Sequence, residues 1–547
     1  MKQIHPAPHG PRMGAGALAL LMASLGANAL AQPVPDPSNV AIGDGAGANV
    51  STKWNLAIGE DAGTNVSGKN ANQAIGFNAG QNVAGGWNQS FGRSAGQNVT
   101  GDYNQGIGFW AGTGVTGSQN NAIGSNAGRN VSGSNNQALG NGAGQNVSTN
   151  WNVAIGEGAG SNVGGKNANQ AIGYYAGTNV NGGWNQSFGR SAGQNVTGDY
   201  NQGVGFWAGT DTVGNNNTAM GSNAGRNVAG DGNQAVGQEA GRGVTGNNNL
   251  ADGVYAGQDV RGSGNQAHGN NTGRGVTGNN NMATGSYAGA GVTGNNNVAT
   301  GMGAGRNVVG NDNVSSGTGA AIDMQGSQNV AIGSDAGRSV AADRSVAVGA
   351  GTRAASDGVA VGTAASAGAD GVAIGAGSTA AAGSVAIGAG SQATRGAQEA
   401  YQGYASDAPQ ASAGEVNVGG RQLTGIAAGS QDGDAVNVAQ LRSVNEQLSS
   451  SVARNEQGLA RLRADVQQME RGLRGGVAAA MATAGLPQAY LPGHSMVSLA
   501  GGAWNGETGY AIGISHIVPN GRWVVRAAAN ATSRGDLGGT VGAGYQW

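Results

Sequence analysis

Apolar residues in this 547-residue chain recur at a nearly fixed interval. The tetrad Val40-Ala41-Ile42-Gly43 returns about every sixteen residues. Its third position is taken in turn by Ile42, Ile58, Ile75, Phe91, Ile107, Ile123, Leu139, Ile155, Ile172, Phe188, Val204, Met220 and Val236. The beat continues through Asp252, His268, Thr284, Thr300, Ser316, Ile332 and Val348, then tightens to thirteen residues at Val361, Ile374 and Ile387. A valine lies eight residues after the beat, as Val66 does after Ile58, and Gly and Asn fill the intervals. This spacing predicts two short β segments per unit, joined by Gly/Asn turns. One such unit cannot bury its own apolar face, so the units must stack. Ile58 and Val66 are expected to meet in one thin core. Parallel stacking at about 4.8 Å turns the twenty-two intervals into a rod of roughly 105 Å. Stacking superimposes equal positions, so Asn49, Asn65, Asn82 and Asn98 should form an amide ladder.

The pattern changes after Ala393. From Leu441 a heptad seam runs through Asn445, Leu448, Val452, Asn455, Leu459, Leu462, Val466, Met469 and Leu473 in steps of four and three. That is the signature of a coiled coil, with Asn445 and Asn455 as polar core positions that fix register and oligomer state. Beyond Pro487 and Pro492, four alternating segments are expected near 495–504, 508–518, 522–532 and 539–547. Nine to eleven alternating residues with aromatic ends suit outer-membrane β-strands. Four strands cannot close a barrel, because bacterial barrels begin at about eight. Three chains supply twelve, and the coiled coil upstream supplies the association.

Composition narrows the functional classes. There are 109 Gly and no Cys, and only 10% of residues are charged, for a net charge of −2. Thiol chemistry and disulfides are excluded, and no basic footprint for nucleic acid is present. Lys2 and Arg12, the small apolar run 13–25 and Ala29-Leu30-Ala31 form a secretory signal pattern. Residues 54–113 recur almost verbatim as 151–210, an offset of 97 residues. A duplicated block implies variable length, which suits a display or spacer rod.

Aromatic residues fall on two phases of the repeat. Trp54, Trp87, Tyr103, Trp151, Trp184 and Tyr200 lie four residues before the beat, and Trp110, Tyr175, Trp207, Tyr255 and Tyr287 lie three after it. Large amphipathic rings on a polar rod are candidate ligand contacts, with turn packing or protomer contact as the alternative. Trp87 with Tyr103, and Trp184 with Tyr200, sit on adjacent units and are placed to stack. The beat turns polar from Asp252 to Ser316, where either a hydrated seam or a solvent-facing phase is expected. No catalytic, cofactor or metal constellation is expected: His268, His494 and His516 lack partner ligands at metal spacing, and the acids Glu60, Asp61 and Glu157 have no consistent partner.

The order of these pieces resembles the YadA-like trimeric autotransporter adhesins. The resemblance rests on the Val-Ala-Ile-Gly repeats, on Asp434-Ala435-Val436-Asn437-Val438-Ala439-Gln440-Leu441 within a neck that begins at Arg421, and on the terminal Tyr545-Gln546-Trp547. It implies a mainly β chain with a left-handed parallel β-roll head, a trimeric coiled-coil stalk and a four-strand contribution to a twelve-stranded outer-membrane barrel. The implied boundaries are 1–31 signal peptide, 32–395 head, 396–441 neck, 442–476 stalk and 477–547 anchor. It further implies a homotrimer on the bacterial surface that helps export its own passenger and binds host cell-surface or matrix proteins or glycans. Trp547 and Tyr545 correspond to the family's barrel-assembly signal, and Val452-x-x-Asn455 to a stalk motif that holds a chloride. A spacer for autoaggregation and biofilm, without a specific host receptor, is the alternative function.

Overall fold

The computed structural model describes residues 36–547. The signal segment 1–31 lies outside the described residues. The chain divides into a unit ending at Arg421 and a second unit from Gln422 to Trp547.

The first unit is a parallel β-solenoid. Three-residue strands, from Val40–Ile42 and Leu56–Ile58 through to Val385–Ile387, pair in parallel and in register, so that Ala41 lies beside Ala57 and Ile42 beside Ile58. A second line of parallel contacts runs half a coil away, through Ser67, Ala84, Thr100 and Thr116. In the thirteen-residue coils it becomes a regular sheet of Arg353–Ala354, Ser366–Ala367, Thr379–Ala380 and Gln392–Ala393. The roll does not finish at residue 395. A hairpin of Gln398–Gln402 and Pro409–Ser412 interrupts the chain, and Val416–Asn417 then returns to pair with Val385–Ile387 as the last rung.

The core differs from expectation at one column. Val66, Val83 and Val99 are fully buried, as expected. The isoleucine beat is not: Ile75, Ile123 and Ile172 stay 37–41% exposed, while Ala57, Ala74 and Ala122 one residue earlier are buried. The reason is strand length. In a three-residue strand only the middle side chain points inward, and both neighbours point out. Each coil therefore closes on two alanines, one valine and an asparagine, as in Ala57, Ala62, Val66 and Asn55. So thin a core allows adjacent coils to approach closely. A Cβ at Gly59, which has φ +124°, would meet the carbonyl oxygen of Gly76 at 2.7 Å.

Asparagine ties the coils together on two lines. The surface ladder Asn49–Asn65–Asn82–Asn98 forms with Nδ2 to Oδ1 distances of 2.9–3.0 Å. A second ladder lies inside. Asn39, Asn55, Asn72, Asn88, Asn104 and their successors are buried, and each Oδ1 accepts from both the backbone N–H and the Nδ2 of the next coil's Asn. It continues to Asn329 and ends on Ser345, where the period shortens.

In the second unit one helix spans Val438–Ala484, and four antiparallel strands follow at Ser495–Trp504, Glu507–Ile517, Trp523–Thr532 and Leu537–Tyr545. These bounds agree with the alternation read from the sequence to within two residues. The helix is uninterrupted across residue 476, so stalk and anchor share one element. Its last turn and the residues just after it pack onto the sheet, with Ala482 and Leu486 against Ala511 and Ala528. Gly509 makes this possible, since a Cβ there would overlap the backbone of Ala479. Upstream, Leu448, Leu459, Leu462 and Met469 form an exposed apolar stripe with Val452 and Asn455 between them. No helix among the described residues is long and apolar enough to cross a membrane.

Candidate functional site

Each sixteen-residue coil turns three corners, and each corner holds at least one residue in the left-handed backbone region. In one coil the non-glycine ones are Ser94, Asn98 and Tyr103, with φ of 56°, 55° and 58°. Sequence reading placed the aromatics on two phases, and the structure puts both phases at such corners. The candidate contacts Trp54, Trp87, Tyr103, Trp110, Trp151, Trp184, Tyr200 and Trp207 all have φ between 55° and 59°. Left-handed backbone is uncommon outside Gly, Asn and Asp, and is an outlier for a bulky side chain. The sequence carried a signal for this, because the same phase is occupied by Asn216, Asn248, Asn280 and Gly264 in later coils.

The two aromatic edges differ in chemistry. On the first, Trp87 and Tyr103 stack with centroids 5.1 Å apart and planes 10° from parallel, and Trp184 and Tyr200 repeat this at 5.1 Å and 9°. Trp54 remains 64% exposed, one coil beyond Ala71. The intervals Ile58 to Ile75 and Ile155 to Ile172 hold seventeen residues, and the extra residue falls in the corner that carries Lys69 or Lys166. Lys69 reaches across the intervening coil to pair with Asp102 beside the rings, and Lys166 pairs with Asp199 in the same way. Asp102 Oδ1 also accepts from Gly86 N–H at 3.0 Å. The Lys69 hydrogen bond, then the Gly86 N–H, hold the Asp102 carboxyl below the usual carboxylate range.

The second edge is cationic. The Arg93 guanidinium lies 5.6 Å from the Phe77 ring centroid and 5.7 Å from that of Phe109, one coil to either side. Arg129 covers Trp110 at 4.9 Å, and Phe109 stacks on Trp110 at 4.8 Å. The duplicated block rebuilds the cluster from Tyr174, Arg190, Phe206, Trp207 and Arg226. These arginines were not among the sequence candidates. Their signal was the recurrence of Arg93 and Arg190 at the phase of Phe77 and Phe109.

The polar stretch of the beat lies on the same outward column as the isoleucines. His268 Nδ1 is 3.8 Å from Asp252 Oδ2, and Thr284, Thr300 and Ser316 follow in register. Among the described residues no group of three or more His, Cys, Asp or Glu is placed to hold a metal ion.

The neck residues have defined local roles. Arg421 donates to the carbonyl oxygens of Ala389 at 2.9 Å and Val418 at 3.0 Å, fastening the chain to the last coils. Asp434 Oδ2 accepts from the N–H groups of Ser430 and Gln431 at 2.7 and 2.9 Å, which lowers its pKa. Asn437 caps the long helix: its side chain accepts from Gln440 N–H at 2.9 Å, and Gln440 Oε1 accepts in return from Asn437 N–H. Gln440 also closes a pair of 3.0 Å bonds with Gly429. Asn445 and Asn455 lie on the exposed helix surface. At the far end, Tyr545 meets Trp523 edge-on at 5.2 Å, and Trp547 is fully exposed just beyond the last strand.

A repetitive β-solenoid, a single helix with an exposed apolar seam and a sheet of four outer-membrane-length strands define a β-repeat protein with a helical stalk and a β-strand anchor. Residues 422–461 match the coiled stalk of trimeric autotransporter adhesins, and residues 487–547 match the YadA-like membrane anchor domain. The chain carries the stalk and anchor segments of the YadA-like trimeric autotransporter adhesins. It is 39% identical over 153 residues to autotransporter adhesin NhhA of Neisseria meningitidis serogroup B, covering 26% of this chain and 24% of that protein. It is 38% identical over 134 residues to autotransporter adhesin EhaG of Escherichia coli O157:H7, covering 24% of this chain and 8% of that one. The matched region thus spans about a quarter or less of these relatives. The collagen-binding domain of Yersinia adhesin YadA aligns with 43% of this chain and 84% of its own, at 24% identity and a TM-score of 0.16.

Proposed function

We propose that the chain is a homotrimeric adhesin of the bacterial outer membrane whose head attaches to host cell surfaces or extracellular matrix. The observation that carries this reading is the display of exposed aromatic rings at strained corners of an otherwise Asn/Gly-built rod. Such rings are costly to hold there and serve no core. The trimer follows from the anchor. The strands Ser495–Trp504 and Leu537–Tyr545 each pair on one side only, leaving two long open edges. Open edges are not tolerated in lipid, and three copies close a twelve-stranded barrel. The open seam of the helix and the outward isoleucine column are covered by the same two partner copies.

In this reading residues 1–31 direct export to the periplasm, Tyr545 and Trp547 are read by the barrel-assembly machinery, and the barrel helps pass the head outward. Asn455 would line the trimeric stalk core, where its amides suit a chloride. The protein acts by binding, not catalysis. The duplicated block favours one second reading, a spacer for cell-to-cell aggregation, because reach alone then has value. Expression of the full chain on a non-adherent bacterium tests the two. Saturable attachment to matrix proteins or epithelial cells, lost when Trp87, Tyr103, Trp184 and Tyr200 are replaced by Ala, supports adhesion. Clumping without attachment supports the spacer.

A further inference from the structure

We propose that the edge bearing Trp54, Trp87 and Tyr103, and its copy bearing Trp151, Trp184 and Tyr200, is a carbohydrate-binding stripe that takes a neutral, β-linked oligosaccharide lying along the rod axis. The inference rests on the adhesive reading above and names the class of its ligand.

The chain contains its own control for what this corner needs. Every coil must place a left-handed residue just before the inward asparagine. In the later coils the place is filled mostly by residue types that tolerate such backbone, at Asn216, Gly232, Asn248, Gly264, Asn280, Asn296 and Asp312. Gln328 and Arg344 hold it at the end of the series, and Ala71, Gln119 and Ala168 within the earlier coils, all without a ring. The corner bond is the same with either choice: Tyr200 N–H donates to Gly183 O at 3.0 Å, and Asn216 N–H donates to Asp199 O at 2.9 Å. Folding therefore does not call for a ring here. Six coils nevertheless carry Trp or Tyr, all within the block at 54–113 and its repeat at 151–210. Strain retained where a relaxed alternative is in use elsewhere in the same chain marks a site.

The chemistry of the edge fits a sugar. Trp87 is 46% and Tyr103 52% exposed, and they stack only on each other. The face of each ring turned away from its stacking partner is apolar and suits the C–H face of a pyranose whose hydroxyls are equatorial. Next to them the Lys69–Asp102 pair offers donors and acceptors at one place, as vicinal hydroxyls require, and contributes no net charge. That neutrality separates this edge from the arginine edge, which would favour anions. Corner N–H groups are already committed, Trp87 to Asn70 O and Tyr103 to Gly86 O, so no free backbone edge remains for an added peptide strand.

Geometry fits a chain better than a single sugar. Trp54 and Trp87 are two coils apart, about 9.6 Å at the usual strand spacing. Ala71 leaves the step between them free of a ring. The second copy of the stripe begins six coils on, about 29 Å away. Two weak sites at fixed spacing reward a ligand long enough to occupy both.

The test uses the full chain displayed on a non-adherent bacterium. Probes are labelled N-acetylglucosamine di-, tetra- and hexasaccharides, a proline-rich triple-helical peptide and heparin. Variants are W87N/Y103N, W184N/Y200N and the fourfold combination, each installing a residue that the corner already accepts elsewhere. The expected result is retention that rises from di- to hexasaccharide, falls about tenfold in either double variant and disappears in the fourfold one, with surface trimer unchanged. Hexasaccharide binding that survives the fourfold variant overturns the proposal, as does preferential capture of the peptide or heparin through these rings. Loss of surface trimer in the fourfold variant also overturns it, by making the rings protomer contacts. If no saccharide binds but cell attachment persists, the carbohydrate assignment falls and the adhesive function stands. If the unsubstituted chain shows neither, both fall.

Discussion

Trp87 and Tyr103 lie face to face, 5.1 Å apart, on consecutive coils whose backbones hold both residues at positive φ. The pair gains stacking, worth about 0.5–1.5 kcal/mol, against left-handed strain of about 1–3 kcal/mol per residue. Substitution of both by Asn removes the stack and most of the strain. Thermal unfolding of the full chain followed by circular dichroism should show head stability unchanged or raised, by no more than about 2 kcal/mol. A clear loss would mean that the rings are structural.

The inner asparagine ladder should behave in the opposite way. Asn104 Oδ1 serves the backbone N–H and Nδ2 of Asn120, and its own Nδ2 serves Asn88 and Gly117. Asn104→Ala strands these buried groups, at about 1–3 kcal/mol for each one left unpaired. Hydrogen exchange should accelerate at the coils on both sides of residue 104, whereas Asn98→Ala on the exposed ladder should have little effect.

At the anchor, Gly509→Leu places a side chain where the backbone of Ala479 already lies. The helix then cannot seat against the sheet. Semi-native electrophoresis of outer membranes should show the trimer band lost, while Gly506→Asn, in the open turn after Ser495–Trp504 and of a residue type that tolerates positive φ, should retain it.

Asn437→Ala removes the cap of the long helix and should cost about 1 kcal/mol. Because Gln440 answers both Asn437 and Gly429, Gln440→Ala should loosen the neck as well. Proteolysis between residues 422 and 437 should rise in both variants.

The Lys69–Asp102 pair sets a pH expectation. Asp102 is held below the ordinary carboxylate range, chiefly by Lys69, so its contribution is complete above that range and is lost only as pH falls through the lowered value. Lys69 is raised by the same contact, so its share is complete below the ordinary lysine value and is lost as pH climbs through the raised one. Head stability should therefore be flat in this respect from about pH 5 to 9, between the ordinary Asp and Lys values. Asp102→Asn should leave that flatness intact and weaken ring-edge binding.

Much of this architecture was legible because it rests on strict periods. The anchor strands and the helical seam come from alternation and heptads, which any reader of the chain can count. The inside of the head was harder. A column of isoleucine reads as core, yet alanine fills the interior and isoleucine faces outward, because strands of three residues admit one inward side chain. Nothing in apolar periodicity separates Ala57 from Ile58. The buried asparagine three places before each beat was visible as a recurrence, but polarity argued for the surface until the ladder showed how its amides are satisfied. The left-handed corners were legible only by comparing Trp87 with Asn216 or Asn248 at the same phase.

That inner ladder also gives the rod a direction. Each Asn Oδ1 accepts from the coil that follows it, from Asn39 to the last acceptor Asn329, while each amide NH2 donates back to the preceding Oδ1 and, as in Asn88 and Asn104, forward to the carbonyls of Gly101 and Gly117. A folded coil therefore offers its successor a finished acceptor, and the successor brings both donors. Assembly can copy itself forward one coil at a time without searching for register, and a coil inserted in reverse would set amine against amine.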